Sequence, residues 1–186
     1  MVNKKGTIAE TALKLFVERG IRGTTTKEIA ERAGIAEGTI YRHYRSKEDL
    51  ALQLFAGKMG SLLRHLTEAA MKGENPPDQL ANVIEAFFTY ARHDPISYAY
   101  VMGAHQSEFP RLPKEMRKPK DVFVDIVRAG MEKGYFRQMD TELAAALAIG
   151  MTIRVIFFTQ QGLISASESE IIAELRRAAM RVLSRD

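Results

Sequence analysis

The chain has 186 residues, 46% hydrophobic and 27% charged, the composition of a soluble globular protein of one ordinary domain or of a small domain joined to a larger one. The absence of cysteine excludes disulfides, thiolate metal sites and a cysteine nucleophile, and fits a reducing, cytoplasmic compartment. A formal net charge of +4 permits a nucleic-acid partner but does not demand one, since a basic solvated surface accounts for it as well.

The N-terminus, Met1 to Gly6, passes straight into an amphipathic pattern, with no apolar run before a cleavage site. Ile8, Ala12, Leu13, Phe16 and Val17 recur at helical spacing and predict a first helix over about Lys5 to Arg19, stopped by Gly20. Thr25-Thr26-Lys27-Glu28 has the form of a capping box. Ile29, Ala30 and Ala33 give the short helix behind it an apolar face, and Gly34 ends that helix because glycine takes the left-handed conformation at little cost. A third helix is predicted over Glu37 to Tyr44. Ser46-Lys47-Glu48-Asp49 then opens a fourth, which runs to about Met71. At about 1.5 Å per residue that helix exceeds roughly 30 Å, enough to connect two domains. Ile8, Leu13, Phe16, Ile29, Ala33, Ile40 and Tyr44 can share a small core. A three-helix unit of that size is marginal alone and is expected to lean on helices from later in the chain.

Beyond a break at Gly73 to Pro77, a fifth helix is expected over Asp78 to Arg92. Asp94-Pro95 starts a sixth, which reaches Gln106. Phe109 to Pro113 reads as a loop and Lys114 to Lys118 as a short helical turn. A seventh helix starts at Pro119 and ends at Gly134, an eighth is capped by Asp140 and reaches Gln161, and Ser167-Glu168-Ser169-Glu170 caps a ninth. No strand pattern, repeat or low-complexity tract is evident. The class is all-α, in about nine helices. The expected division is a helix-turn-helix domain over 1–46 and a larger helical domain over 47–186.

Helix, glycine turn and helix is the layout of a DNA-binding helix-turn-helix. In the Glu37–Tyr44 helix, Ile40 and Tyr44 share the face expected to meet the core. Gly38 and Arg42 lie opposite, with Thr39, Tyr41 and His43 on the flanks. Gly38 lets a duplex approach the backbone, Arg42 can reach a guanine edge with two hydrogen bonds, and Thr39 can meet a base or a phosphate. Tyr41 and His43 can donate to phosphates. Thr25, Thr26, Lys27 and the start of the second helix form one phosphate clamp, and Lys47 sits on the other side. Each residue also has a plainer reading: Thr25 as a cap only, Tyr41 as core cover, His43 as a solvated histidine.

Phe16, Gly20, Gly23-Thr24-Thr25, Ile29-Ala30, Ala33-Gly34-Ile35, Gly38-Thr39-Ile40-Tyr41, His43-Tyr44 and Lys47 with Leu50 resemble, in type and spacing, the DNA-binding segment of the TetR family of bacterial transcriptional regulators. The resemblance covers about the first quarter of the chain. It implies DNA contact by Thr26, Lys27, Thr39, Tyr41, His43 and Lys47. It also implies a homodimer, a palindromic operator, and a small-molecule effector in the C-terminal domain whose binding weakens the grip on DNA. The function expected is that of a ligand-responsive regulator, read as a repressor. The alternatives are a small helical enzyme or a protein-interaction module. Against an enzyme, the sequence has no nucleophile elbow, phosphate loop or metal-ligand spacing, so neither a cofactor nor a metal is implied.

The remaining three quarters carry no family motif. Leu143 to Thr159 is apolar nearly all round apart from Arg154. That is short for a membrane span, and an arginine near its centre would cost about 2.5–3.5 kcal/mol. A helix buried on all sides is expected instead, with the eighth and ninth helices pairing with those of a second subunit as a four-helix bundle. An effector pocket is expected among the fourth to seventh helices, walled by Phe55, Met59, Phe87, Phe88, Tyr98, Met102, His105 and Phe123, because methionine and aromatic side chains suit an adaptable apolar pocket. Plain core is the competing account of the same side chains.

Overall fold

The computed structural model describes residues 3–184. It contains α1 (Lys4–Arg19), α2 (Thr26–Ala33), α3 (Gly38–Tyr41), α4 (Lys47–Ala70), α5 (Pro76–His93), α6 (Pro95–Glu108), α7 (Pro119–Glu132), α8 (Thr141–Gln160) and α9 (Glu168–Leu183). A single 3-10 turn, Phe109–Arg111, comes after α6, and no strand occurs among the described residues.

Local chemistry sets most of the helix boundaries. Asp94 accepts from the Ser97 N–H at 3.1 Å, with Pro95 as the first helical residue of α6. Asp140 accepts from the Leu143 N–H at 2.8 Å. Ser167 and Glu170 form a reciprocal capping box at the start of α9.

Two short segments differ from expectation. The third helix is one turn shorter than Glu37 to Tyr44. The N–H groups of His43 and Tyr44 both turn back to the Ile40 carbonyl at 2.9 Å, and the Arg45 N–H is taken by the Asp49 carboxylate at 2.9 Å. Ser46 caps α4 through the Asp49 N–H at 3.1 Å, so the new helix start claims the residues that would have completed the old one. A 3-10 turn stands at Phe109–Arg111, where a loop was expected, and the turn expected at Lys114 to Lys118 is a single hydrogen-bonded one, from the Met116 N–H to the Pro113 carbonyl at 3.1 Å. Pro110 suits the start of a turn, whereas Pro119 holds Lys118 in extended backbone (φ −124°, ψ 158°).

The chain forms two compact units. The first comprises the segment through Met59 together with Asp94–Met116. Its core joins Ile8, Leu15 and Phe16 of α1, Ile29 of α2, Ile40 of α3, Leu50, Ala51 and Phe55 of α4, and Tyr100, Val101 and Ala104 of α6. The three short helices thus lean on the first part of α4 and on α6. Tyr100 makes the join: its ring stacks on Phe16 at 6.0 Å and its buried hydroxyl donates to the Ala51 carbonyl at 2.7 Å.

The second unit comprises Gly60–His93 and the chain from Arg117 onward. Leu62, Leu66, Leu80, Ile84, Phe123, Val127 and Phe136 are among its buried side chains. Phe136 lies so close to α7 that a Cβ on Gly130 would stand 2.1 Å from its ring. Arg176 of α9 pairs with Glu85 of α5. Within the single chain α8 is covered on one side. Ala144, Ala145, Ala148, Thr152 and Ile156 are buried, but Leu143, Leu147, Phe157 and Phe158 are exposed at 38–53%, because one chain covers one side only. By length and hydropathy alone α8 could cross a membrane. This division by packing runs differently from the expected 1–46 and 47–186, whose outermost two residues at either end lie outside those described.

Candidate nucleic-acid interface

The geometry begins at the cap of α2. Thr25 Oγ1 accepts from the Glu28 N–H at 3.2 Å, and the Glu28 carboxylate accepts from the Thr25 N–H at 2.9 Å and from its hydroxyl at 3.1 Å. Glu28 also pairs with Arg19 at 2.7 Å. The backbone and hydroxyl bonds from Thr25, then the nearby Arg19 and Arg32, hold the Glu28 carboxyl below the usual range. Thr25 therefore places α2, and its hydroxyl proton is already engaged.

Gly34 at φ +65° makes the left-handed turn, with the Ile35 N–H bonded to the Ala30 carbonyl at 3.1 Å. Ile40 and Tyr44 are buried and anchor α3. Gly38, Tyr41, Arg42 and His43 are exposed, as is Lys27 on α2, while Thr26 and Thr39 are partly so. A Cβ on Gly38 would meet nothing within 4 Å. The fold itself therefore does not require glycine there, and glycine is a poor helix former.

Two predicted phosphate donors have additional tasks. Lys47 Nζ donates to the Thr24 carbonyl at 2.7 Å, tying α4 to the loop before α2; two of its N–H donors are left over. Thr26 Oγ1 lies 2.6 Å from Glu37 Oε1 and 3.2 Å from the Tyr41 hydroxyl. Glu37 was not among the sequence candidates. Its signal was present, since it stands one helical turn before Tyr41.

The eight predicted effector residues fall in both units. In the first, Phe55, Met59 and Tyr98 are buried, Met102 is half-buried and His105 is exposed. The His105 ring stacks on Phe109 at 4.4 Å and meets Phe55 edge-on at 6.4 Å. The desolvation there holds its imidazole below the usual value, and burial pushes the Tyr98 hydroxyl up to about 12. In the second unit Phe87, Phe88 and Phe123 are buried, with Phe87 and Phe123 in ring contact at 6.3 Å. Phe88 borders a cavity of about 160 Å³ with Ile156, Thr159 and Ile171. No cluster of histidine and acidic residues able to hold a metal occurs among the described residues.

A capped helix, a left-handed glycine turn and a short second helix anchored by Ile40 and Tyr44 define a helix-turn-helix DNA-binding protein. Residues 8–54 match the family described as bacterial regulatory proteins, tetR family. It is 29% identical to the HTH-type transcriptional repressor KstR2 of Mycobacterium tuberculosis over 147 residues, covering 76% of this chain and 74% of that protein. The fold matches a putative tetR family transcription regulator from Shewanella sp. PV-4, with a TM-score of 0.83 and 24% identity over 99% of this chain and all of that one. It also matches the transcriptional regulator FadR of Bacillus subtilis in complex with stearoyl-CoA, with a TM-score of 0.70 and 22% identity over 95% and 96% of the two chains.

Proposed function

We propose that this chain is a TetR-family regulator, a homodimeric repressor that binds a palindromic operator and releases it when a small molecule occupies the C-terminal helices. The observation that carries the reading is the surface of α2 and α3: exposed Lys27, Arg42 and His43 surround a glycine for which the fold has no internal need. Thr26, Lys27, Tyr41, His43 and Lys47 are assigned to phosphate, and Gly38, Thr39 and Arg42 to the base edges, with Thr25 placing the start of α2 against the backbone. On this reading 1–46 holds DNA and 47–186 serves effector and dimer, and the protein acts in the cytoplasm.

Pairing through α8 and α9 is supported by the open apolar side of α8. Between the two helices lies a groove of about 680 Å³ bordered by Met151, Arg154, Val155, Glu174, Leu175 and Ala178. The Arg154 guanidinium lies over Phe157 and Phe158, at 5.4 and 5.2 Å, with no carboxylate partner among the described residues. A second copy packed on this side would cover these aromatic rings. In such a dimer the two α3 helices must stand about one helical turn of DNA, roughly 34–36 Å, apart to bind.

Two apolar sets are the candidates to wall the site of an effector with a large apolar part, Phe55, Met59, Tyr98, Met102 and His105 within the first unit or Phe87, Phe88 and Phe123 within the second. The stearoyl-CoA bound by the Bacillus subtilis neighbour supports that choice, as the repressor name of the Mycobacterium tuberculosis relative supports the sign of regulation. Anisotropy titration of the purified protein against its own promoter region, at several salt concentrations, tests the reading. Tight binding with a steep salt dependence and a preference over random duplex is expected, with loss of binding on adding an acyl-CoA. A shallow salt slope or no preference for any duplex would refute the DNA assignment.

A further inference from the structure

Glu37 is an exposed carboxylate on the surface assigned to DNA, immediately before Gly38. It accepts the Thr26 hydroxyl at 2.6 Å. A hydroxyl has one proton, so with Thr26 donating to Glu37, the 3.2 Å contact between Thr26 and Tyr41 has Tyr41 as its donor. The protons of two side chains assigned to the DNA surface thus run in series toward one acid. While that chain stands, neither proton is available to a phosphate oxygen.

A carboxylate only accepts, and it has about four lone-pair positions, of which Thr26 occupies one. Facing the major groove, such a group needs a donor. Guanine N7 and O6 and thymine O4 are acceptors and repel it. Adenine N6 donates but stands beside the N7 acceptor. Cytosine N4 donates with no acceptor of its own base alongside, and glutamate accepting from cytosine N4 is an established mode of direct readout.

We propose that Glu37 is a specificity-determining residue that reads cytosine in each operator half-site through the N4 amino group. The open lone-pair positions let the carboxylate hold cytosine N4 while it still accepts from Thr26, which fixes its orientation. This inference rests on the assignment of α2 and α3 as the DNA-reading surface.

The test is repeated enrichment of a randomised duplex library on the full-length protein and on its E37Q, E37A and T26V variants. Anisotropy is then measured on the enriched duplex and on that duplex with single positions changed. All four proteins are checked by circular dichroism; Glu37 is exposed, so unchanged folding is expected. The wild-type protein should enrich a cytosine at symmetric positions of the two half-sites, and replacing it by thymine should weaken binding about tenfold. E37A should lose that preference, E37Q should move it toward adenine, and T26V, which keeps the acid, should retain it. The proposal is overturned if E37A and E37Q keep the wild-type consensus with affinity lowered evenly for every sequence, because Glu37 would then only position Thr26 and Tyr41. Failure of the wild-type protein to enrich any sequence would instead remove the DNA-reading assignment, and this proposal with it.

Discussion

Gly130 sits in α7 with a buried aromatic ring where its side chain would be, and Gly130→Ala tests that packing. An alanine Cβ would lie 2.1 Å from Phe136 Cδ2 and 2.3 Å from Cε2, where carbon atoms pack at about 3.5–4.0 Å. The ring or the helix must therefore give by more than about 1 Å. Phe136 is fully buried. The N–H groups of Tyr135 and Phe136 both donate to the Gly130 carbonyl, at 2.8 and 3.1 Å, so the backbone carrying the ring is fastened to the glycine that would push it. In an open helix the substitution would gain about 1 kcal/mol of helix propensity. Overpacking a tight core costs about 1–3 kcal/mol, occasionally more, and the double restraint puts this site at the upper end. The expected net loss is about 2 kcal/mol, or a Tm lower by roughly 4–8 °C for a chain of this size. Thermal and urea unfolding monitored by circular dichroism at fixed protein concentration measures it. Phe136→Leu in the same background should recover part of the loss, a non-additivity that independent sites do not show. A G130A protein as stable as the parent, or more so, would refute the reasoning.

Leu147→Glu on the open side of α8 should yield a monomer by light scattering with helicity unchanged, since Leu147 is 38% exposed in the single chain; a persistent dimer would place the interface elsewhere. Lys27→Ala should weaken binding to all duplexes about equally and lower the salt slope by about 1, whereas Arg42→Ala should relax preference at one base pair by about 1–3 kcal/mol; equal effects on every sequence from both would deny Arg42 a base contact. Glu28 has a folded pKa below its ordinary value of 4.5, so its capping contribution is present above that value and is lost as the pH falls through the lowered folded value. Glu28→Gln should therefore lower the Tm at neutral pH, with the difference from the parent shrinking as the pH drops below 4.5; a pH-independent difference would mean that the ionised cap is not responsible.

Much of the architecture was written in residues that act locally. Gly34, the Thr25–Glu28 pair, Asp94-Pro95 and the Ser167–Glu170 pair mark helix ends in the sequence, because caps and turns depend on neighbours within a few positions. The end of α3 was not legible, because it is decided by competition: Asp49 and Ser46 draw the backbone into the next helix. Val17 was counted with the apolar face of α1 yet is 38% exposed, whereas Leu15, seven residues after Ile8 on the same face, is fully buried. The apolar composition of α8 did not say which of its sides one chain covers, and Leu143, Leu147, Phe157 and Phe158 remain exposed. Thr26, Tyr41 and Lys47 were identifiable as polar side chains at the right spacing. That two of them give their protons toward Glu37, and that the third braces the Thr24 carbonyl, depends on rotamers and distances that spacing does not carry.

The contact of Tyr100 with Phe16 and Ala51 bears on how such proteins can be recombined. The short helices that carry α2 and α3 are completed by a helix that begins only at Pro95, long after α3 has ended at Tyr41. A fragment cut at the end of the recognised motif would leave Phe16 and the flank of α4 without their cover. Transplanting this chain's operator preference into another regulator therefore calls for two exchanged segments, the N-terminal stretch through Met59 and the matching α6. A graft of the first alone should give a hybrid with the right letters on its surface and a loosened core beneath them.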